Sequence, residues 1–89
     1  MKSFVSIDRV EGKCVICEVE LIPRKESKPE DFAIKDTVMM DVPSWKFLGK
    51  VNEGDIFVVE HNGKKVIWVY GKDEDEKAKR IELLKSIMG

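Results

Sequence analysis

An 89-residue chain is enough for one small domain, expected to span residues 1–89, and too short for two. Sixteen Lys and Arg against 17 Asp and Glu leave a net charge of −1, without the basic excess expected of a dedicated duplex-DNA binder or of a protein held on an anionic membrane. No run approaches the roughly 20 apolar residues of a bilayer span, and the opening M-K-S-F-V-S-I-D-R reaches Asp8 and Arg9 too early for a secretion signal, so a cytoplasmic location is expected.

Residues 3–10 read as a first strand, built on Phe4, Val5 and Ile7. E-G-K at 11–13 is a turn with Gly12 free to take positive φ. In the second strand, 13–21, Val15, Cys17, Val19 and Leu21 share one face while Glu18 and Glu20 share the other, and these first two strands are expected to form a hairpin. The polar stretch 22–32, with two prolines, reads as a surface loop. Residues 33–42 are a third strand, with Ile34, Val38, Met40 and Val42 facing inward. P-S-W-K-F-L at 43–48 fits a short helical turn opening on Pro43, in which Trp45 and Leu48 would plug the end of the sheet. E-G-D at 53–55 is a further turn. The fourth strand runs 55–61, Asn62-Gly63 has the composition of a two-residue hairpin turn, and the fifth strand runs 64–70.

After Gly71 the period changes. Asp73 with Glu76 resembles a capping box, acidic residues at 73–76 precede Lys77, Lys79, Arg80 and Lys85, and that order suits the helix dipole. Ile81, Leu84 and Met88, widened by Leu83 and Ile87, form a stripe expected to dock on the chain's own sheet. Asp75–Lys79 and Glu76–Arg80 are favourably ordered i,i+4 pairs. The pattern as a whole predicts a mainly β fold: a small five-stranded antiparallel barrel-like sheet, SH3-like or OB-like, with one C-terminal helix over about 73–88.

Few residues suggest chemistry. Cys14 and Cys17 form a C-x-x-C string in the middle of a strand, where residues three apart point to opposite faces, so structural thiols are expected over a metal or redox site. Two cysteines are also too few for an oxidised secreted scaffold. His61 is the only histidine and reads as a solvated turn residue. Asp8 and Arg9 read as structural charges. No catalytic, metal or cofactor residue is expected, and the chain is not expected to be an enzyme. The residues that invite a binding role are aromatics with lysines nearby: Trp45, Trp68 and Tyr70 with Lys64 and Lys65. Single-strand nucleic-acid binders stack bases on such rings, although aromatics in a small barrel are more often core.

The ordered motifs I-D-R-V-E-G at 7–12, C-V-I-C-E-V-E at 14–20, D-V-P-S-W-K-F-L at 41–48, E-G-D-I at 53–56 and D-E-K-A-K-R-I-E-L-L-K at 75–85 together resemble the bacterial domain of unknown function 3006 family. The likeness covers nearly the whole chain. The departures are the polar loop 22–32, where members carry a tight D-G-like turn, and the two cysteines, which members commonly lack. The resemblance implies a small bacterial cytoplasmic protein without assigned activity, and loosely implies partnership with metallo-β-lactamase-like or competence-type proteins. It supplies no catalytic residue. The expected function is a binding or interaction module whose partner is another protein or a second copy of the chain, with weak single-stranded nucleic-acid binding as the alternative and no membrane association.

Overall fold

The computed structural model describes residues 1–26 and 36–88. Five antiparallel strands form a single sheet: β1 (Lys2–Glu11), β2 (Cys14–Glu20), β3 (Thr37–Pro43), β4 (Ile56–His61) and β5 (Val66–Lys72), followed by α1 (Glu74–Met88). The spatial order is β3-β2-β1-β4-β5, so β3 and β5 are the two ends and the sheet is not closed. β1 lies at the centre, paired with β2 on one side and β4 on the other. Of the expected third strand, Ile34 falls outside the described residues, as does most of the 22–32 loop; its described start is a short 3-10 turn at Arg24–Glu26.

The two-residue period sorts the side chains onto two faces. On the inner face Val5 stands opposite Val19 and Phe57, Ile7 opposite Cys17, and Cys17 opposite Met40. With Val15, Val42, Val59, Val66 and Val69 these make one buried cluster fed by all five strands. A fully buried Val or Phe contributes about 1.5–3 kcal/mol, so this face carries most of the fold's stability. The outer face holds a smaller cluster of Phe4, Ile56 and Val58.

The connection from β3 to β4 must cross from one end of the sheet to the far side of β1, and it closes the inner cluster as it does so. The plug is Phe47, 6% exposed, packed edge-on against Phe57 at 4.9 Å between ring centroids. Trp45 and Leu48, expected in that role, are 77% and 86% exposed. The helical spacing that joined them is not sustained. The 3-10 turn is only Ser44–Lys46, and Phe47 is already extended (φ −93°, ψ 137°) with its N–H donating to the Ser44 carbonyl. The connection ends at E-G-D, where Gly54 takes φ 84°, a region open to glycine at no steric cost. Gly54 N–H then donates to the Ile7 carbonyl, and Ile7 N–H to the Asp55 carbonyl.

One turn differs from expectation. Asn62 has negative φ, so Asn62-Gly63 is not the two-residue turn with two left-handed residues. The Asn62 side-chain oxygen instead accepts from the Lys64 and Lys65 amides, both at 2.9 Å, and β5 begins only at Val66. At a bulge at Asp8 in the β1–β2 pairing, the neighbouring Asp8 and Arg9 form an ion pair at 2.7 Å, and Arg9 also pairs with Glu11.

The helix docks differently from the sequence reading. Ile81 and Leu84 remain about 40% exposed and Ile87 more so. The contact is made instead by a polar staple. Arg80, 12% exposed, donates to Glu76 at 2.9 Å and to Glu20 of β2, and its guanidinium lies over the Phe4 ring. Asp73 caps the helix by accepting from the Glu76 amide. Lys77 reaches Asp55 at 2.8 Å, and Lys72 reaches the same carboxylate. Burial raises the Asp55 carboxyl, but the hydrogen bonds from Lys77, the Asn52 amide and Lys72 outweigh it and hold it below its ordinary value. No helix among the described residues is long and apolar enough to cross a membrane.

Candidate binding surface at the β5 edge

The sequence-predicted residues gather on and beside one edge. Trp68 stands opposite Glu60, which stands opposite Lys2, so all three lie on the outer face. Trp68 is 61% and Tyr70 48% exposed. The physical reason is the path of α1: it leaves the end of β5 and runs over β4 and β1 toward β2, so the outer face of β5 is left uncovered. Aromatics were expected mostly in the core; Phe47 and Phe57 are, whereas Trp45, Trp68 and Tyr70 are not.

Lysines attend these rings. Lys2 Nζ sits 4.3 Å from the Tyr70 ring centroid, and Lys46 Nζ 5.2 Å from that of Trp45, each worth about 0.5–1 kcal/mol at an exposed position. Lys46 also donates to the Ile67 carbonyl at 3.3 Å, which tethers the Trp45 turn to β5. Lys64 and Lys65 are exposed in the turn that leads into the strand. Ile67, half exposed, adds a further apolar side chain. Sequence reasoning missed Lys2 and Ile67. Lys46 was visible as the neighbour of Trp45, but Lys2 meets Tyr70 only through the β1–β4–β5 register.

Two other places look chemical at first sight. His61, expected in solvent, is buried, and its Nε2 lies 3.0 Å from Ser3 Oγ. The hydrogen bonds determine the protons. Ser3 Oγ–H donates to the Ile22 carbonyl at 2.6 Å, and Gly63 N–H donates to His61 Nδ1 at 3.1 Å, so the ring carries its proton on Nε2 and donates it to Ser3. That tautomer presents no lone pair to the serine. Burial, followed by the nearby N-terminal ammonium, pushes the imidazole below its ordinary 6.5 and keeps it neutral. The pair locks the 62–65 turn to the segment after β2. The second place is a groove of about 740 Å³ between α1 and the outer face, bounded by Glu18, Thr37, Ile56, Ile81 and Leu84. Its cations, Lys77 and Arg80, are held in the ion pairs that dock the helix.

The cysteines stand on opposite faces, Cys14 opposite Pro43 and Cys17 opposite Met40, so their sulfurs do not converge. Burial, then the charge of Asp41, pushes the Cys17 thiol up to about 12, which leaves it unreactive. Among the described residues no three His, Cys, Asp or Glu side chains gather as a metal site.

In comparison with known proteins, no protein-family model, no curated protein and no solved structure matches the chain.

Proposed function

We propose that this protein is a non-catalytic, cytoplasmic interaction module that binds another protein through the β5 edge. One observation carries the reading: β5 is the last strand of an open sheet, and it exposes three large apolar side chains, Ile67, Trp68 and Tyr70. Edge strands in soluble proteins are usually shortened, bulged or guarded by inward charges. This one is bulged at Ile67 and Tyr70 and has its Ile67 carbonyl taken by Lys46, yet it still presents large apolar side chains at an open sheet edge, the kind of surface that strand-adding partners use. The sheet's curl, which draws inner-face residues of all five strands into one cluster, supports grouping it with the barrel-like SH3-like or OB-like folds. The order and spacing of the motifs I-D-R-V-E-G, V-P-S-W and E-G-D support placing the chain in the domain of unknown function 3006 family.

The test is site-specific photocrosslinking in cells. A photoreactive side chain at position 68 is expected to yield discrete polypeptide adducts that the same group at Ser86, on the exposed helix surface, does not. Equal adducts at both positions refute the reading. A second reading, single-stranded nucleic-acid binding, is favoured by the Lys2–Tyr70 and Lys46–Trp45 pairs, because a base could stack on the same rings beside the same ammonium groups. Nucleic-acid adducts at position 68, without polypeptide adducts, would select it.

A further inference from the structure

The charges along the β5 edge are one-sided. Lys64 and Lys65 stand at its start, and Lys2 and Lys46 flank its rings. Among the described residues none of these four forms an ion pair with a carboxylate. The one acid placed among them by the register, Glu60, is paired with the N-terminal ammonium. Lys72, at the far end, is held on Asp55.

This distribution acts against a second copy. Parallel pairing of two β5 edges in register would set Lys64 beside Lys64 and Lys65 beside Lys65, whereas antiparallel pairing would bring these turn lysines toward Lys72, whose charge Asp55 already answers. Like charges directly opposite across a strand pair are destabilising. The lysines therefore guard the edge against in-register pairing with a second copy, and the same lysines attract a strand of opposite charge.

Resting on the interaction reading above, we propose that the β5 edge takes up an extended acidic peptide of another protein. Its centre is apolar and alternating, lying against Ile67, Trp68 and Tyr70, and its flanking carboxylates reach Lys64 and Lys65 at one end and Lys2 at the side. A ladder kept short by the bulges at Ile67 and Tyr70 and the apolar side chains supply affinity for an extended chain, and the lysines supply the choice among chains.

The experiment is fluorescence anisotropy with the intact protein and three fluorescein-labelled probes. These are a valine–threonine alternation flanked by paired glutamates, the same peptide flanked by paired lysines, and oligothymidylate. The glutamate peptide is expected to bind at least about tenfold more tightly than the lysine peptide, a difference of about 1.4 kcal/mol, and to weaken as salt is raised. A double variant, Lys64→Glu with Lys65→Glu, is expected to reverse that order. Both side chains are exposed, and the Asn62 turn uses only their backbone groups, so the variant keeps the fold. Amide hydrogen exchange on β5 is expected to slow when the glutamate peptide is bound. Equal binding of the two peptides, or none by either, overturns the proposal, as does tighter binding of oligothymidylate than of the glutamate peptide. Equal binding together with polypeptide adducts at position 68 removes the acidic preference and leaves the interaction edge in place; neither peptide binding together with no adducts removes both.

Discussion

Arg80→Met tests whether the helix is held by its polar staple. The methionine keeps much of the buried stem and removes the guanidinium that Glu20 and Glu76 share and that covers Phe4. Arg80 is 12% exposed, and the side chains of Glu20 and Glu76 are 5% and 7% exposed. Removing one partner of a buried pair costs about 3–5 kcal/mol, because the opposite charge stays behind in a poor solvent. In a domain of this size, about 3 kcal/mol lowers the melting temperature by roughly 12–24 °C. Urea unfolding followed by circular dichroism is the assay, with a midpoint expected to fall by roughly 1–3 M at the usual slopes for small proteins. Adding Glu20→Gln and Glu76→Gln to the same chain is expected to recover a large part of the loss, since neutral amides tolerate the missing cation. A cost below about 1 kcal/mol for Arg80→Met alone would refute the reasoning, because that is the value of an ordinary surface pair.

Other consequences follow from the same geometry. His61 is held neutral with its titration below the ordinary 6.5, so the unfolded chain takes up the proton first; stability is complete above about pH 6.5 and falls as pH drops below it, by at most about 1.4 kcal/mol per pH unit. Urea midpoints across that range should show the slope in the wild type and lose it in His61→Gln. Phe47→Ala is expected to cost about 3–5 kcal/mol and Trp45→Ala less than about 0.5, measured by thermal unfolding; comparable losses would mean that the plug was assigned to the wrong ring. Iodoacetamide should alkylate Cys14 in the native protein and Cys17 only after unfolding, read by intact mass, and rapid double labelling would contradict the buried thiol.

The inner face was legible because period-two alternation states it directly: Val15, Cys17 and Val19 could hardly be placed otherwise. The helix was legible from Asp73 and its charge order, but its docking was not. The sequence offers an apolar stripe at Ile81 and Leu84, whereas the fold uses Arg80, because the residue facing the sheet depends on where Asp73 launches the helix. His61 misled for a similar reason. A histidine beside Asn62-Gly63 looks solvated until the β1–β4 pairing brings Ser3 beneath it. Phe47 takes the place expected of Trp45 and Leu48 because three residues of 3-10 helix cannot carry a helical period. Of the candidate surface, the rings and Lys64 and Lys65 could be named from the sequence alone, but their union with Lys2 depends on a register between distant strands.

The central position of β1 also sets the timetable of folding. β2 and β3 follow β1 closely in the chain and can build a three-stranded meander as soon as they emerge, but β4, beginning at Ile56, arrives only after the long crossing connection. At roughly 5–20 residues per second of synthesis, one side of β1 waits for seconds with its ladder open and Phe4 still lacking Val58. The vulnerable edge of the nascent chain is therefore the middle of the finished sheet, and slow translation or a delayed crossing would be felt there first, as intermolecular pairing of β1 before its own partner is made.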